Sequence, residues 1–220
     1  MQLLEREIRS IGADLVRCNE RCAGVHHDLE AGVLPRCLLY ERADRNERGC
    51  FCAGINPGCS KRRERDHYRQ TGANYDALLD YWDKALKDLP YFRRLRQLID
   101  AMDIAGPIIW SDLAKCENAP GYEGQIPLQT LRTCSGRFLR SELEVIPTGW
   151  PIIAVGAEAY KALAYLQPNR TVIGIPHPTG SHGNFLALFD NSLLKSNVEV
   201  QAKKALESAD PVAIWLTKDV

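Results

Sequence analysis

Short apolar runs alternate with segments of helical periodicity through the second half of the chain, and this alternation restricts the fold more than any other feature. The runs that predict strands are 107–110, 152–155 and 171–175, and the segments that predict helices are 128–145, 159–166 and 184–207. Parallel neighbours in a sheet need crossover connections, which helices supply. The pattern therefore predicts an α/β fold, a single three-layer α/β/α domain over residues 1–220 with a central, mainly parallel, four-stranded sheet.

The first half of the chain carries weaker patterns. Apolar residues at helical spacing predict helices over 2–17, 75–86 and 92–102. Two apolar runs, 37–40 and 50–53, flank a polar turn, and this arrangement favours a hairpin. Residues 56–70 are interpreted as a loop.

The overall charge does not favour a nucleic-acid-binding protein, and the hydropathy excludes a membrane-spanning one. Lysine plus arginine equals aspartate plus glutamate at 28 each, and no apolar stretch is long enough for a membrane span. The first residues lack the apolar block of a secretion signal, so we expect a cytoplasmic protein. We also expect a monomer. Lys61-Arg62-Arg63-Glu64-Arg65 and Arg93-Arg94-Leu95-Arg96 are local basic clusters, which fit either phosphate contacts or a solvated charged surface.

Eight cysteines are many for a cytoplasmic chain. Disulfides are rare in that compartment, so we expect some thiols to bind metal. Cys37, Cys50 and Cys52 lie in or beside apolar strands, where simple burial is the better interpretation.

Three loops follow the predicted strands, at the edge of a parallel sheet where active sites form. The first contains Gly54-Ile55-Asn56-Pro57-Gly58, which presents the Asn56 amide at a strand tip; a plain Asn-Pro turn has the same sequence. The second follows Trp110. The third holds His177 between two prolines, and such rigid aim suits a group that stabilises developing negative charge.

Taken in order, these motifs resemble the uracil-DNA glycosylase superfamily. GINPG at 54–58 is similar to the first motif of its mismatch-specific and thymine-DNA branch, and His177-Pro178-Thr179 is similar to the second motif. Between them, Lys115-Cys116 and Cys134 resemble the iron–sulfur branch. Residues 153–159 match a strand–helix element of that branch, so the resemblance covers nearly the whole chain.

The resemblance implies a metal centre. In the iron–sulfur branch a close pair of cysteines after an N-terminal helix completes the ligand set, and Cys18 and Cys22 stand at that place with three intervening residues instead of two. The implied ligands of one [4Fe–4S] cluster are Cys18, Cys22, Cys116 and Cys134. A Cys₄ zinc site is the alternative, and Cys59 is a weaker substitute ligand. The cluster is expected to tie the N-terminal helix to the sheet.

The resemblance also implies a monofunctional glycosylase that acts on double-stranded DNA and flips the target base out of the duplex. Asn56 would position water or contact the nucleotide, and His177 would stabilise charge on the departing base. The expected base-binding residues are Gly54, Ile55, Gly58 and Asp112. The expected DNA contacts are Lys61, Arg62, Arg63, Arg65, Thr179, Ser181 and His182, with Tyr68 as a stacking or wedging residue.

Two departures from the family bear on the base. Asp112 stands where the family carries the asparagine that reads uracil, and an ionised aspartate only accepts hydrogen bonds, which suits an amino pyrimidine. Gly58 replaces a tyrosine that blocks groups on C5. Together they favour a modified cytosine, such as glucosylated 5-hydroxymethylcytosine in phage DNA, as the substrate of an antiphage enzyme. Uracil repair, a DNA-binding module without catalysis, and a structural Asp112 (helix cap or ion pair with Lys115) remain alternatives.

Overall fold

The computed structural model describes residues 2–36, 38–43, 47–122, 125–179, 185, 188 and 192–216. Its helices are α1 Gln2–Val16, α2 Arg62–Thr71, α3 Tyr75–Lys84, α4 Pro90–Ala101, α5 Leu128–Cys134, α6 Arg140–Val145, α7 Ala157–Leu166 and α8 Ser192–Leu206. Its strands are β1 Val25–His26, β2 Leu39–Glu41, β3 Cys50–Gly54, β4 Ile108–Asp112, β5 Glu117–Asn118, β6 Ile152–Val155, β7 Val172–Ile175 and β8 Ala213–Trp215. None of the helices in this described part combines the length and apolarity that a membrane crossing requires.

The main sheet has six strands in the order β2-β4-β3-β6-β7-β8. Strands β3, β6, β7 and β8 pair in parallel, which confirms the predicted α/β class and the mainly parallel sheet. The predicted count of four strands is wrong, because short β2 and β8 extend the sheet at its two edges. The predicted hairpin is also wrong, since β4 lies between β2 and β3. A separate antiparallel ladder joins β1 to β5.

The chain divides into two compact units whose segments alternate along the sequence. The first unit comprises Met1–Tyr40, Ile55–Lys87 and Trp110–Ile146, and the second comprises Glu41–Gly54, Asp88–Ile109 and Pro147–Val220. No single cut in the chain separates the two units.

In the first unit, α1 packs against α3 and α6. Gly12 permits this approach, because a Cβ on it would lie 2.2 Å from a ring carbon of Tyr75. The helix predicted over 128–145 is confirmed, with one difference. Residues Ser135–Leu139 widen into a π-helix between α5 and α6. Such a bulge adds a residue to a turn and is frequent at functional sites, and here it begins directly after Cys134.

In the second unit, strands β3, β6 and β7 are buried along their whole length, as parallel strands covered on both faces require. Ala53 pairs with Ala154, and Ala154 pairs with Gly174. Strands β3 and β7 therefore end at the same edge of the sheet, on either side of β6. Gly174 has no room for a side chain, because its Cβ would lie 2.5 Å from atoms of Trp215 and Tyr160.

Two elements differ from the sequence prediction for identifiable reasons. Residues 62–71 form α2 instead of a loop; only Glu64 and Tyr68 of this polar helix are buried, so it lacks an apolar periodicity. Strand β5 has two residues and no apolar pattern to reveal it. The N-terminal helix, the helices around Pro90, and the strands at 152–155 and 172–175 agree with prediction. Cys50 and Cys52 are buried as expected, while Cys37 lies outside the described residues.

Candidate functional site

The four cysteines named as cluster ligands line one pocket in the first unit, which we call the thiol pocket: Cys18, Cys22, Cys116 and Cys134. Each is placed by the end of an element. Cys18 follows α1, Cys22 precedes β1, Cys116 precedes β5 and Cys134 ends α5. Apolar groups fill much of the remaining wall, including those of Val25, Ala114 and Phe138. Cys59 is exposed and does not line this pocket.

Burial and repulsion between neighbouring thiols disfavour the thiolate form of the cysteines in the thiol pocket. Burial raises the pKa of Cys116, and the neighbouring Cys134, Cys18 and Cys22 raise it further. Burial also raises the pKa of Cys134 to about 11, against the opposing effect of Lys115. The pKa of Cys22 is raised by burial and by Cys18. Burial is the larger cause in each case and the neighbouring thiols add to it, so a positive charge in this pocket would favour the thiolate forms.

The arrangement of these thiols bears on which centre they suit. Within the described residues, no three His, Cys, Asp or Glu side chains surround a point where a single metal ion fits. A zinc ion would hold its sulfur ligands about 2.3 Å from one point. A [4Fe–4S] cluster is wider, since each thiolate binds a different iron atom. Cys116 is buried, and Cys18, Cys22 and Cys134 are half-buried around this pocket.

Two polar groups already point at these sulfurs. The backbone N–H of Lys115 donates to Sγ of Cys134 at 3.3 Å. Nδ1 of His27 lies 3.6 Å from Sγ of Cys116. Hydrogen bonds to sulfur stabilise thiolate ligands and tune a cluster, so both contacts fit a metal-binding pocket.

Lys115 itself is a buried cation with a complete set of partners. Its side chain is 1% exposed, and Nζ lies 2.7 Å from a carboxylate oxygen of the fully buried Glu142. Nζ also donates to Oγ of Ser111 at 2.8 Å and to the carbonyl of Asp112. These bonds hold residues 111–116 in place and remove Lys115 as a free amine nucleophile.

The interpretation of Asp112 as a helix cap is wrong. No helix begins after Asp112, since residues 113–116 form a bend.

The side-chain amide of Asn56 is held in place by hydrogen bonds from its nitrogen. Nδ2 donates to Oδ1 of Asn118 at 2.8 Å and lies 3.4 Å from each of the carbonyl oxygens of Cys116 and Pro57. The loop before it is fixed by a hydrogen bond of 2.8 Å from the N–H of Ala114 to the carbonyl of Ile55. Asn56 is thus half-buried with a defined amide orientation, beside the backbone of the thiol pocket.

Gly58 leaves open space beside this loop. A Cβ on Gly58 would meet no described atom within 4 Å. Gly58 is exposed, and no described side chain takes the place of the tyrosine that the resemblance would put there.

A buried carboxylate secures the end of the same loop. Glu117 is 1% exposed and accepts from the backbone N–H of Ser60. It also pairs with Arg36 at 3.3 Å and with Arg65 at 3.1 Å. Arg36 pairs in turn with Glu64 at 3.0 Å and donates to the carbonyl of Gly58. This network connects β5 to both ends of the segment 58–65.

His177 lies in the second unit, two residues beyond β7. Its Nδ1 lies 3.3 Å from both the backbone N–H and the hydroxyl of Thr179. Its ring stacks at a tilt on Tyr91, with the centroids 5.4 Å apart. Arg94 donates to the carbonyl of Pro178 at 2.6 Å and fixes the turn. An Nδ1 that accepts from a backbone N–H requires the proton on Nε2, so Nε2 is the donor of the neutral ring.

The remaining predicted DNA contacts divide into four groups. Lys61, Arg62 and Arg63 are exposed at the start of α2, as phosphate contacts require. Arg65 is half-buried and engaged by Glu117 and Ser60. Ser181 and His182 lie outside the described residues. Tyr68 does not fit a stacking or wedging role, because it is fully buried and its hydroxyl donates to Glu64 at 3.1 Å.

Sequence reasoning missed Glu117 and Asn118, the residues that fix the Asn56 loop. The sequence signal for these two residues is weak: they are polar and directly follow Cys116, a cysteine that a metal site would bury. No protein-family model and no curated protein matches the chain. A functional assignment therefore depends on the motifs and on the geometry of each unit.

Proposed function

We propose that this protein is a monofunctional DNA glycosylase that hydrolyses the N-glycosidic bond of an unusual base in double-stranded DNA. The observation that carries the proposal is the held Asn56 amide in the GINPG loop, beside the pocket that gathers four cysteines. A plain Asn-Pro turn needs no such support from Asn118 and Glu117. The buried, paired Lys115 agrees with a mechanism that uses water rather than an amine.

In the proposed reaction the base is flipped out of the duplex and leaves with the electron pair of its bond to C1′ of the sugar. Nε2–H of His177 donates to the departing base and stabilises its negative charge. Asn56 orients a water whose oxygen adds to C1′, and the water loses a proton to solvent or to the base. The products are the free base and an abasic site. Lys61, Arg62 and Arg63 bind phosphates of the substrate.

The four thiols of the thiol pocket would hold a [4Fe–4S] cluster. When bound, the cluster neutralises the thiolates and cross-links the ends of four elements, and it takes no part in bond cleavage. Metal binding of this kind contributes directly to the stability of the folded state.

The favoured base is a modified cytosine, of the type found in glucosylated phage DNA, which would make the enzyme an antiphage defence. Asp112 would accept a hydrogen bond from the exocyclic amino group of cytosine. The open space at Gly58 would accommodate a large substituent on C5. Normal cytosine lacks that substituent, so contacts to the substituent supply the discrimination.

Mass spectrometry of released bases tests the proposal. Purified protein is incubated with duplexes that contain uracil, hypoxanthine or 5-hydroxymethylcytosine, and with glucosylated phage DNA. We expect the wild-type protein to release glucosylated 5-hydroxymethylcytosine. The Asn56→Ala variant should release this base about 10²- to 10⁴-fold more slowly.

The controls separate chemistry from binding. Asn56→Ala should bind the same DNA with affinity close to wild type, because it removes a contact to water rather than to phosphate. Release of uracil alone would replace the modified-cytosine assignment by base-excision repair. Tight binding without release of any base would favour a DNA-binding module instead.

A further inference from the structure

We infer that Asn118 is a positioning residue for Asn56: it fixes the orientation of the Asn56 amide so that the amide oxygen faces the reacting water. The inference rests on the proposed function and adds to it a residue outside the motifs. It is carried by the hydrogen bonds around the two amides in the first unit.

The orientation of Asn56 follows from its neighbours. Nδ2 lies against the carbonyl oxygens of Cys116 and Pro57, and neither of these groups can donate a hydrogen bond. A flipped amide would set Oδ1 against two carbonyl oxygens, which is repulsive. The shortest bond, 2.8 Å to Oδ1 of Asn118, agrees with the unflipped orientation. Throughout the described residues, no donor is hydrogen-bonded to Oδ1 of Asn56.

Asn118 is itself held in one orientation. Its Nδ2 donates to the carbonyl of Tyr122 at 3.5 Å, which leaves its Oδ1 for Asn56. The backbone carbonyl oxygen of Asn118 lies 3.1 Å from Nδ1 of His26. Asn118 also pairs with Val25 in the antiparallel ladder of β1 and β5. A chain of fixed orientations therefore runs from Tyr122 through Asn118 to Asn56.

Three consecutive residues connect this chain to the rest of the site. Cys116 lines the thiol pocket, Glu117 holds the N–H of Ser60, and Asn118 holds the amide of Asn56. Side chains alternate along a strand, so neighbouring residues of β5 reach different partners. The segment that supplies a cysteine to the pocket thus also sets the geometry of the Asn56 loop at both of its ends.

This geometry matters for the reaction because the two ends of an amide do opposite things. An amide oxygen accepts a hydrogen bond from an O–H of the water and turns the oxygen lone pair of that water towards C1′. An amide nitrogen would donate to the water and occupy that lone pair. The terminal torsion of asparagine is broad, so an amide without a fixed partner samples both orientations. Asn118 removes the unproductive one.

The test is a double-mutant cycle on single-turnover base release from glucosylated phage DNA. Asn118→Ala should slow release by about 10- to 100-fold, the usual effect of a misplaced reacting group, with DNA affinity and iron content unchanged. Asn118→Asp keeps an oxygen acceptor for Nδ2 and should recover release to within about 10-fold of wild type. In an Asn56→Ala background, Asn118→Ala should cause no further loss, because its partner is absent.

The outcomes are distinct. A loss that multiplies with that of Asn56→Ala, or an Asn118→Ala variant with wild-type release, would overturn the role of Asn118 while leaving the glycosylase intact. If wild type releases no base, both the proposed function and this inference fail. If Asn118→Ala does not fold, the isosteric Asn118→Asp decides: near-normal release supports the inference, and a loss as large as that of Asn56→Ala overturns it.

Discussion

At the scale of single residues, the proposed choice of base depends on Asp112. It ends β4 directly before a segment that the buried pair of Lys115 and Glu142 holds in place. A carboxylate accepts hydrogen bonds only, whereas an asparagine amide both donates and accepts. Under the proposed function, the side chain at this position would therefore favour an amino pyrimidine over uracil.

Asp112→Asn should shift the preference of the enzyme from modified cytosine towards uracil. Since one well-made base contact is worth about 1–3 kcal/mol, the ratio of the two rates should change by about 5- to 150-fold. Competing single-turnover reactions on mixed duplexes measure the ratio directly. Asp14→Asn, on the exposed surface of α1, is the matched control and should leave the ratio unchanged. An unchanged ratio for Asp112→Asn would remove Asp112 from base recognition.

Local sequence identified Asn56, the four cysteines and the prolines around His177, because each has a distinctive chemistry or sits in a rigid turn. It did not identify Asn118, Glu117 or Arg36. Their roles are contacts between side chains far apart in sequence, such as Asn56 with Asn118 across 62 residues. No periodicity encodes such a pair, so only the fold reveals it.

At the scale of elements, the thiol pocket is assembled by the ends of α1, β1, β5 and α5. The sequence predicts long elements such as α1 and the buried strands of the parallel sheet. A helix with one buried face has apolar residues at helical spacing, and a strand buried on both faces is a continuous apolar run. Strand β5 does not, since two residues carry no period. Its position depends on Cys116 before it and on the ladder to β1.

Serine in place of Cys116 should therefore abolish the proposed metal centre. The variant loses one of four thiolate ligands, and we expect iron, acid-labile sulfide and visible absorption to fall to background in anaerobically purified protein. Cys59→Ser is the control, because Cys59 is exposed and lies outside the thiol pocket. It should retain the full iron content. Zinc instead of iron in the wild-type protein, or loss of iron in Cys59→Ser, would contradict the assigned ligand set.

At the scale of the whole molecule, the two units differ in what stabilises them. The second unit contains the parallel strands β3, β6 and β7, buried along their length. The first unit contains all four thiols of the pocket, and its β1–β5 ladder is only two residues long on each side. Such short ladders are marginal on their own, so we expect the first unit to depend more than the second on the proposed metal centre.

Removal of the metal should therefore loosen one unit and leave the other. After anaerobic chelation, backbone amides of β1, β5 and α5 should exchange with deuterium at least about 10-fold faster, since their local opening no longer breaks metal–thiolate bonds. Amides of β6 and β7 should keep their protection, because their hydrogen bonds lie within a buried parallel ladder. Hydrogen exchange read by mass spectrometry, with mock-treated protein as control, resolves these segments. Equal loss of protection in both units would mean that they unfold as one, and unchanged exchange throughout would mean that the centre contributes nothing to the stability of the first unit.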